Sequence, residues 1–169
     1  MSATSAAVTT SRDPVCGADV PVAGSPYSTV YHQITVHFCS DQCRARFLEI
    51  PALYTGAQRT ADIRPMPKRR TLRIAAGSPE ALMHAAGRVA AMVGVSSALA
   101  GKGTLRVEYD LRQVALSQIE AVVACAGVSL KGGLHELRRS LWKFFEHNEL
   151  ENAAHAGTMA CCSRPPGPR

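Results

Sequence analysis

The sequence predicts an α+β chain built of two small units and a final helix. Three observations carry this reading. Residues 13–56 gather Cys16, Cys39 and Cys43 with Tyr27, Tyr31 and Tyr54 around two short β-rich runs. Residues 71–131 alternate strand and helix signals in the order βαββαβ. Residues 134–152 place large apolar side chains at three- and four-residue steps. The chain has 169 residues, of which 46% are hydrophobic and only 5% aromatic, a balance that favours small, close-packed elements over one large core.

Taken in order, residues 1–12 are rich in Ser, Thr and Ala and read as a disordered lead. Within 13–56, the runs 27–31 and 34–38 flank His32-Gln33 and read as a hairpin. Ser40 is placed to cap a helix over 41–49. Cys39 and Cys43 then lie four residues apart at the positive end of that helix, where the dipole favours thiolate over thiol. Residues 57–70 carry Pro65, Pro67, Arg64, Lys68, Arg69 and Arg70 and read as an extended basic linker, solvated rather than phosphate-binding.

The second unit opens with a strand over 71–75. Ser78, Pro79 and Glu80 form a helix start, and Leu82, Ala85, Ala86, Val89, Ala90 and Val93 give that helix one apolar face before Gly94 ends it. Strands over 95–99 and 104–109 meet across Gly101-Lys102-Gly103. A second helix over 116–126 turns Ile119, Val122, Val123 and Ala126 inward and stops at Gly127, with 128–131 as the last strand. Cys125 is expected in the core. The element order is that of a split βαβ, or ferredoxin-like, sandwich. In the final helix Leu134, Leu137, Leu141 and Phe145 form a stripe widened by Trp142 and Phe144, with Arg138, Arg139, Lys143, Glu146 and Glu149 covering the rest. The stripe is expected to pack on the sandwich, with dimerisation or partner binding as the alternative. Residues 153–169 read as a flexible tail carrying Cys161-Cys162 before Pro165, Pro166 and Pro168.

Charge and composition bound the function. Nineteen Lys and Arg against thirteen Asp and Glu give a net charge of +6, which permits an acidic partner but is modest for a dedicated nucleic-acid binder. No apolar run is long enough to span a membrane. The N-terminus has neither the basic nor the apolar region of a secretory signal, so a cytoplasmic location is expected. There, clustered cysteines bind metal or do redox chemistry more often than they form disulfides. No nucleophile–base pair, paired-carboxylate motif or phosphate-cradling loop points to an enzyme.

Twenty-two residues separate Cys16 from Cys39, and three separate Cys39 from Cys43. Three thiolates with one further ligand make a tetrahedral Zn(II) site; three in a plane suit a soft ion such as Cu(I). His37, two residues before Cys39, is a candidate fourth ligand, whereas His32 belongs to the turn. Cys161 and Cys162 form a second thiol group, able to take a soft metal, to share the first site's ion or to act as a redox sensor. The function expected is soft-metal binding, as a Cu(I) chaperone, buffer or accessory to efflux. The alternative is a structural Zn(II) module in a protein–protein adaptor or regulator. The sequence leaves the oligomeric state open.

The stretch DPVCGADV, followed by YHQITVHFCSDQCRARFLEIPALY, resembles the YHS family and the wider group of TRASH-like treble-clef metal domains. The resemblance implies a small ββα metal-binding module of the kind found attached to copper transporters. One departure is Ala18, where that family commonly has Met, so a thioether is missing. Residues 71–133 resemble a heavy-metal-associated domain, with LRVEYD matching its third strand and 119–128 its second helix. Its metal-gripping loop is here Ala76-Gly77-Ser78-Pro79, without cysteine, which implies a docking surface rather than a second metal site. A metal-transporting ATPase or other metalloprotein is the partner these resemblances imply.

Overall fold

The computed structural model describes residues 9–55 and 64–155. Its class is α+β. In the first unit β1 (Thr10–Arg12) pairs antiparallel with β2 (Asp19–Pro21), Ser11 lying opposite Val20. The expected disordered lead therefore ends in a strand. Thr10, Ser11 and Arg12 have no apolar alternation to reveal it; backbone pairing holds them, helped by the Arg12 side chain donating to the Gly17 carbonyl at 3.1 Å. β3 (Ser28–Tyr31) and β4 (Ile34–His37) form the expected hairpin. α1 (Asp41–Glu49) and α2 (Ala52–Thr55) follow, and Ser40 caps α1 by accepting from the Cys43 N–H at 3.3 Å. Phe47 of α1 is fully buried against the rings of Phe38, Tyr31 and Tyr54.

His32 and Gln33 make the two-residue turn with φ of +47° and +64°, the left-handed pair a type I′ hairpin needs. Histidine enters that region more readily than most residues, whereas glutamine does not. Gln33→Gly removes a steric cost of about 1–2 kcal/mol but adds about 0.5–1 kcal/mol of unfolded-state entropy. We expect a net gain of roughly 0.5–1 kcal/mol in urea unfolding.

The second unit comprises β5 (Pro67–Ala76), α3 (Pro79–Ala90), β6 (Val95–Gly101), β7 (Thr104–Asp110), α4 (Leu116–Cys125), β8 (Ser129–Leu130) and α5 (Leu134–His155). The sheet order is β6-β7-β5-β8, antiparallel at every pairing. Ser78 caps α3, accepting from the Ala81 N–H at 3.1 Å, with Pro79 in the first turn. Leu72, Leu105, Val107 and Tyr109 of the sheet join Leu82, Ala85 and Val89 of α3 and Leu116, Ile119 and Val123 of α4 in the buried core. Cys125, expected there, is exposed, because it lies two residues beyond Val123 and so on the far side of the helix.

β5 begins at Pro67, so the basic run belongs to a strand and not to a solvated linker. Proline is tolerated because it occupies the strand's first position. The three charges are also spoken for: Lys68 pairs with Glu149 at 2.6 Å, Arg69 with Glu108 at 2.7 Å and Arg70 with Glu146 at 3.3 Å. Two of those partners lie on α5, which accounts for a second departure. The stripe of Leu134, Leu137, Leu141 and Phe145 does not pack on the sandwich; all four are exposed. α5 docks instead through Glu146 and Leu150, both buried, and through Arg139 and Lys143, which pair with Glu120 of α4. Charged side chains at the inner end of β5 demand acidic partners, and the polar side of α5 supplies them.

The two units share one continuous core. Gln42 of α1 donates to the Val93 carbonyl at 2.7 Å and accepts from the Val93 N–H at 3.2 Å. Arg46, 1% exposed, donates to the Leu111 carbonyl, and the Tyr54 hydroxyl donates to that of Arg112. These contacts fix α1, and with it Cys43, against the larger unit. Among the described residues no helix is long and apolar enough to cross a membrane.

Candidate metal centre

Three local structures converge on one point. The turn between β1 and β2 presents Cys16, the end of β4 presents Cys39, and the first turn of α1 presents Cys43. The Sγ atoms of Cys16 and Cys39 are 3.4 Å apart, and those of Cys39 and Cys43 are 3.6 Å apart. An ion with bonds of about 2.3 Å to sulfur holds tetrahedral thiolates about 3.8 Å from one another. The cluster is therefore already close to liganding geometry. Together with a carboxylate oxygen of Asp13, all these atoms lie within 4.8 Å of one another.

Asp13 organises the site. Its Oδ1 accepts from the N–H groups of Val15 at 2.8 Å and Cys16 at 3.4 Å, while its Oδ2 accepts from the Cys39 N–H at 2.8 Å. One buried carboxylate thus ties the Cys16 turn to the Cys39 loop, 26 residues away. The turn is closed by Gly17, whose N–H donates to the Asp13 carbonyl at 2.8 Å and whose φ of +78° suits glycine. A carboxylate has about four lone-pair positions, so Asp13 keeps room for a metal after accepting three N–H groups.

Burial raises the Asp13 carboxyl, but the N–H donors of Cys39 and Val15 outweigh it and hold the group below the ordinary carboxylate range. The thiols move the other way. Burial, followed by the neighbouring Cys39 thiol and the Asp13 charge, pushes Cys16 up to about 11. Burial drives Cys43 far above the ordinary thiol range, against the Ser40 hydroxyl. The thiolate preference expected from the helix dipole is therefore overturned at Cys43. A helix end contributes about half a charge, whereas the loss of solvent around a fully buried sulfur acts on a whole one.

Exposure grades across the cluster: Cys43 is buried, Cys16 half-buried and Cys39 open to solvent. His37 is not among the clustered ligand atoms, and its Nδ1 is buried without a hydrogen-bond partner among the described residues. His32 lies in the hairpin turn. Cys161 and Cys162 lie outside the described residues. Asp13 is the residue that spacing arguments passed over. Its signal was the interval of three between Asp13 and Cys16, which reads as an aspartate turn before it reads as a ligand. Comparison with protein-family models, curated proteins and solved structures finds no match to this chain.

Proposed function

We propose that the protein binds a soft metal ion, with Cu(I) as cargo held by Cys16, Cys39 and Cys43, and serves as a chaperone, buffer or efflux accessory. The observation that carries this reading is the graded exposure of three near-touching thiols. A buried thiol anchors the ion, and an open one at Cys39 lets an incoming partner thiolate form its bond to the metal as the Cys39–metal bond breaks. Repetition at Cys16 and then Cys43 passes the ion on without releasing it. The resemblances to the YHS and heavy-metal-associated families support the same reading, and a transporter or other metalloprotein carrying its own thiols is the partner they favour.

A second reading rests on Asp13. Three thiolates and a carboxylate are a closed Zn(II) set, and Cys43 sits in the core beside Phe38 and Phe47. In that reading the metal is structural, within an adaptor or regulator. The two separate on anaerobic protein: a transfer site yields Cu(I) to a competing chelator and keeps its fold, whereas a structural site holds Zn(II) and unfolds when stripped.

Proton release tests the ligand set itself. With Cys16 raised to about 11 and Cys43 higher still, both are protonated at neutral pH in the metal-free protein. Binding as thiolate must expel those protons, so affinity rises with pH, about tenfold per unit for each proton released. Calorimetric titration in buffers of different ionisation enthalpy is expected to count at least two protons per ion near neutral pH. A count below one would exclude Cys16 and Cys43 as joint ligands.

A further inference from the structure

We infer that the outer face of α5 is the contact surface of a homodimer. Leu134, Leu137, Leu141 and Phe144 follow a three-four-three spacing, Phe145 flanks them, and Asn148 occupies the next position of the same heptad. The five apolar side chains are 87%, 59%, 48%, 58% and 60% exposed in chain order. Their inward alternative is closed, because Glu146, Leu150, Arg139 and Lys143 already hold the opposite side of α5 to the sandwich. Each offers on the order of 100 Å² of apolar surface, so two copies pairing along the stripe would cover roughly 1,000 Å², the lower bound of a specific interface.

A second copy fits this surface better than the rest of the chain does. The segments outside the described residues carry few large apolar side chains: Met1 and Val8, then Ile63, then Met159. None can fill a five-residue stripe. Another α5 can, because a seam at this spacing is complementary to itself under two-fold symmetry. The positions flanking the seam between Leu134 and Asn148 include Arg138, Ser140 and His147 and no acidic residue. Asn148, at the end of the seam, is the kind of polar residue that fixes register in paired helices.

The experiment is sedimentation velocity on the full chain, from about 1 to 200 µM in reductant so that cysteines cannot cross-link copies. The wild type is expected at twice the chain mass in the upper part of that range. Leu137→Glu/Leu141→Glu is expected at the chain mass throughout, with unchanged circular dichroism, because both side chains are exposed in the single chain. Should that variant not fold, Leu137→Ala decides, with at least a tenfold weaker dimer expected. A wild type that stays monomeric, or a dimer that neither variant weakens, overturns the proposal. The surface shares no residue with the thiol cluster, so this outcome and the metal result are independent of one another.

Discussion

Replacing Cys16 or Cys39 with serine is expected to lower Cu(I) affinity by roughly 10²–10³-fold, with little change in the stability of the metal-free protein. The magnitude is set by analogy with structural Zn(II) sites, where a binding free energy of about 10–16 kcal/mol shared over four ligands amounts to about 2.5–4 kcal/mol each. The fold is spared because Cys39 is exposed and Cys16 half-buried, so a hydroxyl there remains near water. Cys43→Ser should behave differently. Its side chain is fully buried, so serine also costs the metal-free protein about 1–3 kcal/mol by replacing a buried thiol with a smaller hydroxyl that must be desolvated. Competition with a chromogenic Cu(I) chelator measures the first effect and urea unfolding the second. Affinity within threefold of wild type for Cys16→Ser and Cys39→Ser would refute the three-thiolate site.

Asp13 separates the two metal readings. Asp13→Asn keeps one acceptor oxygen but turns an amide NH₂ toward either Cys39 or the Cys16 turn, both of which present N–H donors. It is expected to loosen the join between the two loops whatever the metal. If the carboxylate is also a ligand, Zn(II) affinity should fall far more than Cu(I) affinity. Equal, small losses for both ions would confine Asp13 to positioning.

Much of this was legible in the sequence because it is local. The Ser40 and Ser78 caps, the turn at His32-Gln33 and the Gly127 stop of α4 announce themselves within four or five residues, whereas α3 ends at Ala90, ahead of the expected stop at Gly94. The cysteine cluster was legible for a related reason, since Cys39 and Cys43 flank the Ser40 cap only four residues apart and only Cys16 must be brought from afar. What could not be read depends on distant pairing. Thr10, Ser11 and Arg12 form a strand only because Asp19, Val20 and Pro21 lie opposite. Lys68, Arg69 and Arg70 look like a solvated run until Glu149, Glu108 and Glu146 arrive from elsewhere in the chain. The helix dipole at Cys43 was a correct local argument overruled by burial, a property of the whole fold.

The inverted docking of α5 gives the second large effect. Glu146 is 3% exposed and accepts from the Tyr109 hydroxyl at 2.5 Å, from Arg70 at 3.3 Å and from the Leu116 N–H at 3.3 Å. Hydropathy alone places this residue on the solvent side, since a glutamate beside two exposed phenylalanines looks like the polar flank of an apolar stripe. In the fold it is the residue on which a helix, a strand and the start of another helix meet. Glu146→Ala would leave the half-buried Arg70 guanidinium without its counter-charge and the buried Tyr109 hydroxyl without its acceptor. The expected loss is about 3–5 kcal/mol, a large part of the 5–15 kcal/mol that stabilises a typical domain. Glu146→Gln keeps an acceptor for Tyr109 and should lose less, while Tyr109→Phe removes a single hydrogen bond and should cost about 1 kcal/mol. That ranking, Ala above Gln above Phe, is what a charge-centred junction requires, and urea midpoints on the three variants measure it. Equal losses for all three would mean that α5 is held by the packing of Leu150 and not by charge. An Ala variant as stable as wild type would mean that α5 does not dock through Glu146 at all.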